Sequence, residues 1–145
     1  MARQDHLGRL IDHVHLVVSD VETSRRFYRA VLGALGRELT YEAADAFASD
    51  ELFVSSVREV GAHATSPHRV HLAFQASDRD IVARFHAAAL AAGGRDNGGP
   101  AERSYHPGYF AAFVLDPDGN NLEAVHHGRG IRSAESVIIA IDGGE

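Results

Sequence analysis

The sequence predicts an α+β protein built from two tandem βαβββ modules, and three observations carry that expectation. First, residues 13–37 shifted by 58 positions fall on residues 71–95 without a gap. Ten pairs are identical, among them His13/His71, Asp20/Asp78, Phe27/Phe85, Leu32/Leu90 and Gly36/Gly94. An internal duplication dictates architecture more firmly than local propensity does. Second, each copy passes from a short apolar run into a helical pattern. Third, each helical pattern is followed by short extended pieces separated by turn-forming residues.

The apolar runs are residues 11–18 and 69–76, rich enough in Val, Leu, Ile and Phe to read as buried strands. Asp20 and Asp78 follow as helix caps, since a carboxylate there accepts from the free amides of the first turn. Phe27, Val31 and Leu32 share one face at helical spacing, as do Phe85, Ala89 and Leu90 in the second copy. Gly36 and Gly93-Gly94 end the helices. Extended pieces are expected near 37–42, 45–49 and 51–57, then near 103–105, 109–116 and 120–127. Asp116-Pro117-Asp118-Gly119-Asn120 is a turn that joins the last two as a hairpin, because Pro117 fixes φ and Gly119 permits a positive one. The first module spans residues 10–60, residues 60–67 connect, the second spans 68–127, and 128–145 form a tail in which 137–141 reads as a further strand.

A chain of 145 residues suits one compact domain. With no cysteine, disulfides, thiolate metal sites and cysteine nucleophiles are excluded, so any metal must sit on nitrogen and oxygen. The net charge is −6 and all 14 basic residues are scattered arginines, which disfavours nucleic-acid binding. No apolar run is long enough to span a membrane and none at the amino terminus resembles a signal peptide; a cytoplasmic location is expected. Ten histidines draw attention to metal or proton chemistry.

Strand alternation then sorts the candidates. Val14, Leu16 and Val18 form the helix-facing set of the first strand, which sends His13 and His15 to the opposite, concave side. In the matching strand Leu72 and Phe74 face the helix, leaving His71 and Gln75 concave; in the last strand Leu122 and Ala124 do so, leaving Asn121 and Glu123. His13, His71 and Glu123 are expected to converge as metal ligands, because two imidazoles and a carboxylate suit Fe(II), Mn(II) and other divalent ions while leaving positions open to substrate. A hydrogen-bonded core role is the alternative for each histidine alone.

The run Asp12-His13-Val14-His15-Leu16 through Asp20, with Phe27-Tyr28 and Leu32-Gly33, resembles the opening motif of the vicinal oxygen chelate superfamily, and residues 112–123, ending Asn120-Asn121-Leu122-Glu123, resemble its closing hairpin. That superfamily includes glyoxalase I, type I extradiol dioxygenases, fosfomycin-resistance transferases and bleomycin-sequestering proteins. The resemblance covers about residues 10–127. It implies an open, cupped mixed sheet, usually in a homodimer, with a divalent ion such as Fe(II), Mn(II), Zn(II) or Ni(II) chelating two neighbouring oxygens of a small-molecule substrate. By position His13, His71 and Glu123 match three ligands. Glyoxalase I carries a further carboxylate where this chain reads Leu52-Phe53-Val54-Ser55-Ser56-Val57, with Glu51 and Glu59 outside that run. This departs from a strict lactoylglutathione lyase and lies closer to the three-ligand members.

Tyr105-His106-Pro107-Gly108-Tyr109 offers His106 and Tyr109 as the acid–base pair that extradiol enzymes place near their metal; the alternative is a surface loop in which the tyrosines only pack. His15, Gln75, Arg103, Tyr105 and Asn121 are candidate substrate contacts, Arg103 for a carboxylate, and cavity lining without chemistry is their alternative. His126-His127 reads as an exposed pair. Two functions are expected to compete: a metal-dependent dioxygenase-like or lyase/isomerase-like enzyme, and a metal-free dimeric sequestering protein of the bleomycin-resistance type.

Overall fold

The structure, a computed structural model, describes residues 3–7, 13–56, 69–128 and 137–141. The starts of the first apolar run and of its motif, Ile11 and Asp12, together with Val57, Glu59, the connection 60–67 and most of the tail, lie outside the described residues. The described residues form two compact units. One takes in those within Met1–Val21, Glu38–Pro67 and Arg132–Glu145, the other those within Glu22–Arg37 and His68–Ile131.

In the first unit, β1 (Arg3–Leu7) pairs antiparallel with the last strand, β11 (Val137–Ile141), from Arg3 opposite Ile141 to Leu7 opposite Val137. The tail strand is therefore present, and its partner is an amino-terminal strand that the sequence pattern did not announce. The remaining strands, β2 (Val14–Val18), β3 (Tyr41–Ala43), β4 (Ala46–Ser49) and β5 (Leu52–Ser56), make a mixed sheet in the order β2-β5-β4-β3, with β2 parallel to β5. Leu16 and Val18 are buried and His15 is exposed, as period-two alternation requires. Two-residue turns close both hairpins, and Asp50 takes the positive φ of 48° that Asp tolerates better than most residues.

The second unit holds α1 (Val21–Ala34) from Glu22 onward, β6 (His71–Gln75), α2 (Arg79–Ala91), β7 (Arg95–Asp96), β8 (Ala101–Glu102), β9 (Phe110–Leu115) and β10 (Asn121–His126). The first helix thus groups with the strands of the second copy. The sheet order is β6-β10-β9-β7, with β8 also on β9; β6 runs parallel to β10, and β9 and β10 form the expected hairpin. The Asp78 carboxylate caps α2 by accepting from the Ile81 amide at 2.8 Å. Phe27, Tyr28, Val31 and Leu32 are buried on α1, Val82, Phe85 and Ala89 on α2, and Ala112, Val114, Leu122 and Ala124 on the sheet. Burying side chains of this size supplies most of the driving force for folding.

Three expectations need correction. Leu90 is 41% exposed, because the buried face of α2 runs through Val82, Phe85 and Ala89 and turns Leu90 away from it. β6 is not a buried strand: it lies at the end of the sheet order with His71, Ala73 and Gln75 exposed. The piece expected at 103–105 is β8 at 101–102, with the Arg103 amide still donating to the Tyr109 carbonyl at 2.8 Å.

One polar network ties the second unit together. The Tyr28 hydroxyl of α1 donates to Asp116 Oδ2 at 2.6 Å, and Asn120 Nδ2 donates to the same oxygen. The amides of Asp118 and Asn120 donate to Asp116 Oδ1, and Asn120 Oδ1 accepts from the Val70 amide just before β6. Asp116 is buried, and these donors satisfy a carboxylate that would otherwise be costly to desolvate. Helix, hairpin turn and β6 are thereby held in one register.

Candidate functional site

Registers define one face of the second unit. Opposite Glu123 on β10 lie Ala73 on β6 and Phe113 on β9, and opposite Asn121 lie His71 and Leu115. Because alternate residues point to opposite faces, His71, Gln75, Asn121, Glu123, Tyr109 and Phe113 share the side away from the buried set Ala112, Val114, Leu122 and Ala124. The pairing of Arg103 with Tyr109 places Arg103 on that side as well.

Glu123 is the chemical centre of this face. Its side chain is 3% exposed, while that of His71 is 53% exposed and brings Nε2 to 2.9 Å from Glu123 Oε2. The Tyr109 hydroxyl donates to the other oxygen, Oε1. An ionised carboxylate only accepts, so Nε2 of His71 donates in this arrangement. Burial, then the hydrogen bond and charge of Glu123, push the Tyr109 phenol up to about 12.

Around this centre the remaining candidates fall into place. Asn97 Nδ2 donates to Asn121 Oδ1 at 3.0 Å, and the His71 and Phe113 rings lie 6.1 Å apart. Tyr105 is 70% exposed and meets Tyr109 edge-on at 4.9 Å. His106 Nδ1 faces the Pro107 carbonyl at 2.9 Å and its Nε2 faces His127 Nδ1 at 2.9 Å. The carbonyl accepts only, so in the neutral pair His106 carries its proton on Nδ1 and receives one from His127. Both rings meet Tyr109 edge-on at 5.2 Å. The expected exposed pair His126-His127 is instead half-buried and divided, His126 Nδ1 donating to the Ala76 carbonyl at 3.2 Å and His127 turning to His106. Gln75 is exposed on the same face.

His13 and His15 belong to the first unit. His13 is exposed just before β2. His15 Nε2 lies 2.7 Å from Ser55 Oγ, and its ring meets Phe53 edge-on at 4.8 Å. Burial, then neighbouring His13, hold the His15 imidazole below its ordinary value. Among the described residues no three His, Cys, Asp or Glu side chains gather closely enough to hold a metal ion. Of the three expected ligands the structure brings together His71 and Glu123, because β6 and β10 are adjacent strands, whereas His13 precedes a strand of the other unit. Nitrogen and carboxylate ligands about 2.1 Å from an octahedral ion lie about 3 Å from each other, so the 2.9 Å pair also has the spacing of two adjacent ligands.

Sequence reasoning missed one member of this face, Phe113, which was legible by counting alternation back from Leu115. Alternation along the last strand also carries His127 to the side of Glu123, but its pairing with His106 was not legible, since that partner lies in a loop.

Comparison with known proteins shows the family. The model of the Glyoxalase/Bleomycin resistance protein/Dioxygenase superfamily matches residues 10–124. The chain belongs to that superfamily. Among solved structures, this superfamily member is similar to a glyoxalase/bleomycin resistance protein from Albidiferax ferrireducens T118, with 27% identity, a TM-score of 0.65 and coverage of 79% of this chain and 96% of that one. A glyoxalase-related enzyme from Fulvimarina pelagi is 21% identical with a TM-score of 0.68, over 91% and 98% of the two chains. A lactoylglutathione lyase from Agrobacterium tumefaciens is 18% identical with a TM-score of 0.59, over 81% and 93%. The last two likenesses concern the fold alone. No curated protein matches the chain. Among the described residues no helix is long and apolar enough to cross a membrane.

Proposed function

We propose that this superfamily member is a divalent-metal-dependent enzyme acting on a small molecule with two adjacent oxygens, with His71 and Glu123 as metal ligands and His13 as the third ligand expected from the sequence. The observation that carries this reading is the 2.9 Å pairing of a half-exposed imidazole with a buried carboxylate on one sheet face. Fe(II), Mn(II), Zn(II) and Ni(II) all accept such nitrogen and oxygen donors. When bound, the ion supplies Lewis-acid stabilisation of an enolate, alkoxide or catecholate-like charge.

The side chains around it have definable work. Glu123 presents its buried carboxyl group at the floor of the site, with Tyr109 on its second oxygen fixing the group's orientation. Tyr109 keeps its proton at neutral pH because its phenol is pushed up to about 12, so it holds a hydrogen bond on Glu123 or on a substrate oxygen beside it. His106 and His127 share a hydrogen-bonded proton one ring away, which supports His106 as the group that exchanges a proton with a bound molecule. Asn121, held by Asn97, and Gln75 flank the centre as polar substrate contacts. A homodimer belongs to the same reading, on the family resemblance, and the cytoplasmic location remains the expectation drawn from the sequence.

The test is metal content after anaerobic purification with Fe(II) or Mn(II) supplied, for the wild type and for His71→Ala and His13→Ala. The wild type is expected to hold about one ion per chain, and each variant to lose it. Undiminished stoichiometry in His71→Ala would falsify the site. A metal-free sequestering protein is the second reading, favoured by the Tyr109 hydroxyl already closing Glu123 Oε1. It requires that ligand binding survive exhaustive chelation.

A further inference from the structure

We propose that Arg103 is an anion anchor, and that the molecules this face takes are small planar organic acids whose carboxylate lies on Arg103 while their oxygen pair reaches His71 and Glu123. The second half of that statement rests on the function proposed above; the first stands on the surroundings of Arg103 itself.

The guanidinium is held in place but not neutralised. Nη2 donates to the carbonyls of Gly99 and of Ala111, the latter at 3.3 Å, and both are uncharged. Nε is buried with no hydrogen-bond partner. Among the described residues no carboxylate answers the charge, whereas Arg25 and Arg79 each have one. A buried guanidinium N–H without an acceptor is costly, and a carboxylate is the group that matches its planar fork.

The loop before Arg103 is shaped to this end. Gly98 has a φ of 141°, open to glycine, and a Cβ there would stand 3.3 Å from Nη2 and 3.2 Å from the Phe113 ring. Its amide donates to Asp96 Oδ1, and its carbonyl accepts from the Phe113 amide at 2.8 Å. The backbone is thus pressed against both groups, and Arg103 Cζ lies 5.2 Å from the centre of the Phe113 ring.

The spacing selects the ligand. Strand order runs β6, β10, β9, β8, so His71, Glu123, Phe113 and Arg103 follow one another across the sheet. Phe113 is directly opposite Glu123, and its ring contacts both the His71 ring and the Arg103 guanidinium. A molecule bound at both ends must cross β9 and its Phe113 ring, about two strand spacings of 4.8 Å each. That suits an aromatic ring with a carboxylate at one end and an oxygen pair at the other, and such a ring can also stack on Phe113 and meet the Tyr105 and Tyr109 rings.

The full chain, supplied with Mn(II), is titrated calorimetrically with 3,4-dihydroxybenzoate and with 3,4-dihydroxybenzyl alcohol, its neutral counterpart. The acid is expected to bind at least about tenfold tighter, as a charge-assisted hydrogen bond supplies. Arg103→Met is expected to abolish that preference while leaving the alcohol's affinity and the Mn(II) stoichiometry unchanged, and Arg103→Lys to retain part of it. Because Nη2 also braces the loop, the wild-type comparison of the two ligands decides even where the methionine variant folds poorly. Equal affinities in the wild type, or no binding of either ligand, overturn the proposal. Mn(II) binding without acid preference sinks only the role of Arg103. Acid preference without Mn(II) binding sinks the metal-dependent function and leaves the anchor standing.

Discussion

His71 Nε2 lies 2.9 Å from Glu123 Oε2 because β6 runs parallel to β10 with His71 opposite Asn121, which sets the imidazole diagonally across from the carboxylate on the same face. Glu123→Gln keeps the size of the side chain and an acceptor for Tyr109 but removes the charge that an ion needs. Metal affinity in that variant is expected to fall by more than the roughly 10–100-fold typical of losing an outer hydrogen-bond partner. Calorimetric titration of Mn(II) into wild type and variant checks it, with far-UV circular dichroism to confirm folding. Equal affinities would remove Glu123 from the ligand set.

Tyr109 supplies a pH signature of the same centre. Its phenol is pushed up to about 12, so it stays protonated in the folded chain where an unfolded tyrosine would already ionise near 10. The stabilisation is complete below pH 10 and is lost as pH rises toward 12. Tyrosinate absorbance followed against pH is expected to show two late-ionising tyrosines, Tyr28 and Tyr109, and Tyr109→Phe is expected to reduce that late amplitude by one tyrosine. An undiminished late amplitude in the variant would show that Tyr109 ionises like an ordinary tyrosine.

Tyr28 makes the more consequential bond. Its hydroxyl donates at 2.6 Å to the buried Asp116 carboxylate, and burial, then that carboxylate's charge and hydrogen bond, then Asp118, raise its pKa well above 10. Tyr28→Phe removes one donor from a buried anion, and hydrogen bonds to charged groups contribute about 1.5–3 kcal/mol, so a loss of that size is expected in denaturant unfolding. The sign against pH follows from the raised pKa: stability falls as pH climbs above 10, and the phenylalanine variant should show a shallower alkaline slope. A variant as stable as the wild type would mean that water replaces the hydroxyl.

Much of this was legible in the sequence because duplication and strand alternation are geometric. The 58-residue repeat located both helices, and period two put His71, Glu123, Gln75 and Asn121 on one face. The turn 116–120 was legible from Pro117 and Gly119, and Gly119 does take a φ of 87°. What was not legible depends on partners distant in the chain. Nothing local to 3–7 announces a strand whose partner is 137–141, and nothing in α1 says that it groups with the second set of strands. The hydrogen-bond partners of Tyr28 and His106 lie 88 and 21 residues away, and no periodicity encodes such pairings.

The aligned glycines show how far the repeat can be trusted, and they yield a last expectation. Gly36 matches Gly94 in the 58-residue shift, yet the helix-closing positive φ belongs to Gly36 at 77° and to Gly93 at 94°. α2 is one residue shorter than α1, so the terminating glycine moves up by one and Gly94 is freed for another task. That task is close packing: a Cβ at Gly94 would stand 2.6 Å from the Phe27 ring, 2.9 Å from the Ala89 carbonyl and 3.1 Å from the Leu115 carbonyl. The ring could shift, but the two carbonyls are held by α2 and the end of β9. Gly94→Ala is therefore expected to destabilise by about 1–3 kcal/mol, the usual cost of overpacking. Gly33→Ala, where nothing lies within 4 Å of the added Cβ, should stabilise slightly through helix propensity. Denaturant midpoints of the two variants decide the matter, and equal midpoints would show that Gly94 has room the geometry denies it.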